Sequence, residues 1–210
     1  MLPDRWINQL KSNDWGLQLN ATLLHPLDDE TAYSIMPLMI EKAKEVDVDH
    51  GAIDIKASSF VGRSATNAAR LIRERGYSDQ DKFHREVRDW ILELNYCSEI
   101  NVAAHSVIAL GNLWVPPESV RTRLIELVNI QRRSDNELEH PGTIRGTAFR
   151  QLASRDRKTA QQLIDTPARR EFQESIIHQL EIYGVKYPNN EKVPHDLKAE
   201  IEWLTDANAE

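Results

Sequence analysis

The chain is predicted to be all-α, a solenoid of helical hairpins, and three observations carry that prediction. A motif returns after 42 residues: Val102, Ser106, Leu110 and Gly111 recur as Ile144, Ala148, Leu152 and Ala153. Residues four apart stack along one helix face, and a period of about 40–47 residues is the signature of stacked two-helix units. Every long apolar pattern repeats at helical spacing, and no run of alternating β-branched residues competes with it. The composition, 40% hydrophobic and 28% charged over 210 residues, suits one folded domain of about five hairpins and excludes a disordered chain.

In order, Trp6, Ile7 and Leu10 predict an amphipathic opening turn, and Trp15, Leu19 and Leu23 a helix over residues 14–24. Asp28 to about Glu45 is the next helix. Its acidic start suits the helix dipole, and its core face is Ala32, Ile35, Met36, Met39, Ile40 and Ala43. Pro37 sits inside it and removes one hydrogen bond. Residues 47–62 read as a loop with a short helical piece near Ile53 to Phe60. Ser64 to Arg75 is helical up to Gly76, with Ala68 and Ile72 inward. Ser78 is read as the cap of a helix carrying Phe83, Val87, Trp90, Ile91 and Leu94, and Ser98 as the cap of one running to about Trp114. Pro116 and Pro117 start a helix striped by Val120, Leu124, Leu127 and Val128. Residues 131–142 are a polar connection ending in Pro-Gly. Helices follow over Thr143 to Ser154, Lys158 to Ile164 and Pro167 to Tyr183, the last with Phe172, Ile176 and Leu180 inward. Leu197, Ile201 and Leu204 predict a closing helix.

The run NVAAHSVIALGNLWVPPESVRTRLIELV at 101–128 resembles a HEAT-type repeat, with small residues and a Leu-Gly in the first helix and a proline-containing turn before the second. TIRGTAFRQLASRD at 143–156 is similar to the outer helix of another unit, and YSIMPLMIEKA at 33–43 to an inner helix. The likeness at 64–94 keeps Ala68 and Ala69 but lacks the Leu-Gly. The resemblance implies a right-handed α-solenoid of about four HEAT-like units, roughly 14–46, 62–95, 98–132 and 143–184, with a cap at 195–207, forming a single domain over 1–210. Its inner helices would present a concave face, and the family carries no catalytic residues to transfer.

The net charge of −7 is unevenly spread. Residues 121–170 hold eleven basic against six acidic residues, while residues 1–60 hold five against ten. The candidate partner-binding residues are therefore Arg121, Arg123, Arg132, Arg133, Arg145, Arg150, Arg155, Arg169 and Arg170, because a guanidinium fork bonds two oxygens of an anionic group at once. Nearby Glu126, Glu137, Asp156 and Asp165 offer the competing reading of ordinary ion pairs.

The other candidate ligands are weak. Asp47, Asp49, His50 and Asp54 form the densest set, but DVDHGAIDIKAS lacks the register of a calcium loop. No histidine pair suits zinc, and no phosphate loop, dinucleotide fingerprint or nucleophile elbow occurs. Trp90 and Trp114 read as packing residues, as do Met36 and Met39, and the single Cys97 precludes an internal disulfide. No signal-like leader or membrane-length apolar run is evident, which points to the cytoplasm.

The expectation is a non-catalytic scaffold or adaptor with no cofactor and no metal, holding a protein partner on its concave or arginine-rich surface, the arginines favouring an acidic one. The alternative is a nucleic-acid-binding protein resembling the HEAT-like alkylpurine DNA glycosylases. That reading would use Asp89 and Trp90, the only adjacent acid–aromatic pair on an inner helix, but a pI near 5.5 argues against a phosphate-tracking groove.

Overall fold

The computed structural model describes residues 2–24, 26–49, 53–115, 117–131 and 143–182. Among the described residues there are ten helices and no strand: α1 (Leu2–Leu10), α2 (Trp15–Ala21), α3 (Asp29–Lys44), α4 (Ile55–Arg75), α5 (Lys82–Leu94), α6 (Ile100–Leu113), α7 (Pro117–Val128), α8 (Ile144–Arg155), α9 (Arg157–Gln162) and α10 (Pro167–Ile182). None is long and apolar enough to cross a membrane. The chain divides into two compact units, Met1–Arg121 and Thr122–Glu210. The expected closing helix at 195–207 and the inward side chains of Ile176 and Leu180 lie outside the described residues.

In the first unit α4 is the central element, packing on α2, α3, α5 and most extensively on α6. Two registered contacts fix each neighbour's direction. Trp15 meets Phe60 and the Asn67 amide donates to the Thr22 carbonyl, both at a separation of 45 residues, so α2 and α4 run parallel. Asn101 donates to Ser58 and Gly62 abuts His105, both at a separation of 43, so α4 and α6 run parallel too. Small residues permit that second contact. A Cβ on Gly62 would fall 2.8 Å from Cβ and Cγ of His105, closer than any real contact. One lateral layer thus advances by 43 to 45 residues per helix.

The core follows the sequence pattern closely in α3, where all six expected residues are buried and Asp28 caps the helix by accepting from the Thr31 amide. Several local expectations differ. The short helical piece expected near Ile53 to Phe60 and the helix expected from Ser64 are one continuous helix, α4, capped by Asp54. The caps of α5 and α6 are Asp81 and Glu99 rather than Ser78 and Ser98. Because α2 ends at Ala21, Leu23 lies beyond it and is 43% exposed, while Gln18 turns inward and donates to the Leu10 and Ser12 carbonyls. Trp114, read as a packing residue, is the residue that closes α6 rather than part of the helix. It ends α6 in the left-handed region at φ 48°, a conformation that non-glycine residues adopt at a cost of about 1 kcal/mol, and is half-buried.

In the second unit α8 packs on α9 and α10. Ile144, Ala148 and Leu152, the second copy of the 42-residue motif, are all fully buried, as are Val102, Ser106 and Leu110 of the first copy. Phe149 meets Phe172 at 5.9 Å, and a Cβ on Gly146 would strike the α10 backbone at 2.9 Å.

Candidate interaction face

Helices α3 and α5 form a second layer over α4. Their seam is fastened near both ends by residues about fifty positions apart. At the first end Tyr33 meets His84 at 2.9 Å. The Ser78 amide donates to His84 Nδ1, so a neutral ring carries its proton on Nε2 and donates it to the Tyr33 hydroxyl. Tyr77 stacks on the same imidazole, and the Arg75 guanidinium lies 4.1 Å from the Tyr33 ring centre. Burial, with the Asp81 charge, pushes the Tyr33 hydroxyl pKa up; burial and the Asp79 hydrogen bond do the same for Tyr77. Arg88 bonds Tyr77, Asp79 and Asp89. Burial opposes its charge, but the Asp89 hydrogen bond and the neighbouring acidic groups prevail and hold its pKa above the ordinary value. This end of the seam is a closed network.

At the second end the Val48 carbonyl accepts from the Glu99 amide and the Ser98 hydroxyl, while Asp49 accepts from the Ser98 amide at 3.0 Å. Beside that junction the seam opens into a hollow of about 400 Å³. Ala43, Val46, Trp90, Leu94 and Cys97 supply its apolar wall, and Lys44, Asp47, Asp49 and Glu93 its polar lining. The C-terminal ends of α3 and α5 both reach it, so their partial negative charges add to three carboxylates against one lysine.

A smaller hollow of about 280 Å³ lies on the other flank of α5, with Leu92, Leu110, Val115 and Val120 as its apolar lining and Arg88, Asp89 and Ser119 as its polar one. Asp89 and Trp90 therefore line different hollows, and Trp90 is only 6% exposed.

Asp47, Asp49 and Asp54 serve the backbone: Asp47 accepts from the Asp49 amide, Asp49 bridges to Ser98, and Asp54 caps α4. His50 lies outside the described residues. Among the described residues no group of three or more acidic, histidine or cysteine side chains is arranged to hold a metal.

Arg121, Arg123 and Arg145 are engaged with carboxylates. Arg121 bonds Glu118 at 2.6 Å, and Arg123 bonds Glu126 at 3.0 Å. Burial lowers the Arg123 pKa against the attraction of Glu126. Arg145 meets Glu171, a residue 4% exposed that also accepts from the Thr143 hydroxyl at 2.6 Å. Arg132 and Arg133 fall outside the described residues. Arg155 and Arg170 are exposed, and Arg150 and Arg169 half-buried. Of the described candidates, Arg121 belongs to the first unit and Arg123, Arg145, Arg150, Arg155, Arg169 and Arg170 to the second.

No protein-family model matches the chain, and neither the curated proteins nor the solved structures contain a match.

Proposed function

We propose that the chain is a non-catalytic, HEAT-like solenoid module that holds a protein partner on the layer formed by α3 and α5. The observation that carries this reading is the parallel register of α2, α4 and α6 at 43 to 45 residues, close to the 42-residue sequence period. A structure that advances one helix per repeat supports a second layer whose seams are open to partners. The two hollows flanking α5 are such seams. In this reading the first layer provides rigidity, and the second provides recognition.

The experiment is affinity capture with three forms of the purified chain: wild type, Glu41→Lys with Glu86→Lys on the exposed ridges of the second layer, and Arg63→Glu on the exposed side of α4. A partner retained by the wild type and Arg63→Glu but lost by the ridge variant supports the reading. A set of bound proteins that is the same for all three forms, or no reproducible partner, overturns it.

A further inference from the structure

We infer that the α3–α5 face receives a basic segment of a protein partner, with one arginine side chain entering the hollow beside Trp90. This rests on the module reading above and names its partner's chemistry.

Three features converge there. The first is shape: the hollow is about 400 Å³, within the range that encloses a small ligand or a long side chain, and it has an apolar wall. The aliphatic stem of arginine or lysine packs on such a wall while its head reaches polar groups. The second is local potential. Asp47, Asp49 and Glu93 line the opening, and the C-terminal ends of two parallel helices point toward it. Trp90, only 6% exposed, belongs to the apolar wall.

The third is the surrounding charge. Glu41 on α3 and Glu86, Asp89 and Glu93 on α5 are exposed at helical spacing. Lys82 offsets Glu86 and Arg88 offsets Asp89, so the acidic excess is that of the hollow's own lining, three carboxylates against Lys44, with Glu41 beside it. A face of this sign steers a basic segment and disfavours nucleic acid or an acidic protein. The arginine block is therefore not the recognition surface in this account.

The test uses the full chain and a fluorescein-labelled alanine peptide with one arginine flanked by two lysines. Its counterpart replaces the arginine with citrulline, which keeps the shape and loses the charge. Fluorescence anisotropy should show saturable binding of the arginine peptide that weakens about tenfold between low and physiological salt, as expected for exposed charges. The citrulline peptide should bind several-fold more weakly. Glu93→Gln and Asp47→Asn should each weaken the arginine peptide about threefold to tenfold, while Glu174→Gln, an equal charge change on exposed α10, should leave it unchanged. Equal binding of the two peptides, or equal losses in Glu93→Gln and Glu174→Gln, would reduce the effect to net charge and overturn the inference. Concentration-dependent self-association abolished by Glu93→Gln would assign the hollow to a second copy and overturn it as well. If the peptide does not bind but the ridge variant still loses a captured partner, this inference falls and the module reading stands. If neither responds, both fall.

Discussion

Replacing Gly62 by alanine should destabilise the protein, and the sign of that change is informative. Inside an exposed helix the same substitution stabilises by up to about 1 kcal/mol, because alanine restricts the unfolded chain and favours helix. At Gly62 the new methyl would lie 2.8 Å from Cβ and Cγ of His105 and 2.9 Å from Cδ2. Rotating the imidazole moves Cγ and Cδ2 but not Cβ, so α4 and α6 must separate. Overpacking of this kind costs about 1–3 kcal/mol, and here the upper half applies because one contact cannot rotate away. The net loss is about 1–2 kcal/mol, a fall in Tm of roughly 2–8 °C for a chain of this size. His105→Ala removes two of the three clashing atoms and should recover about half the loss in a double-mutant cycle. Urea unfolding followed by circular dichroism at 222 nm measures both. A stabilised Gly62→Ala, or a cost indifferent to residue 105, would refute the close parallel crossing of α4 and α6.

Other outcomes follow from the same packing. Leu110→Ala and Leu152→Ala, both fully buried, should each cost about 2–5 kcal/mol in the same unfolding assay. Arg145→Ala leaves the buried Glu171 carboxylate without its guanidinium and should cost about 3–5 kcal/mol, whereas Arg170→Ala on the surface should change little. The Thr31 backbone and side-chain hydrogen bonds hold the Asp28 pKa below its ordinary 3.8, so its contribution is present above that pH and is lost as pH falls through the lowered value. The gap between wild type and Asp28→Ala should therefore begin to close in melts below about pH 3.8 and vanish only below the lowered value, and a constant gap would contradict the cap. Duplex and single-stranded DNA probes should show no mobility shift at micromolar protein and low salt.

The helical core was legible because it is local. The stripe of α3 and its acidic cap could be read directly, as could both copies of the 42-residue motif. The continuity of α4 through residues 61–63 was missed because Gly62, following Ser58 and Ser59, weakens a helix in isolation. In the folded chain Gly62 is chosen for its missing side chain, and Ser58 is paired with Asn101 from 43 residues away. The hollow left no trace in sequence because its walls, residues 43–49 and 90–97, are joined only by tertiary packing. Glu171 likewise lies 26 residues from Arg145, so that buried pair looked like an available cation on a basic segment.

The most direct test of the central claim is amide hydrogen exchange of the full chain with and without its captured partner. The account predicts new protection in α3, α5 and the segments 41–49 and 93–99, with residues 144–175 unchanged. Protection confined to residues 144–175, or to α2 and α4, would place recognition elsewhere and contradict the claim.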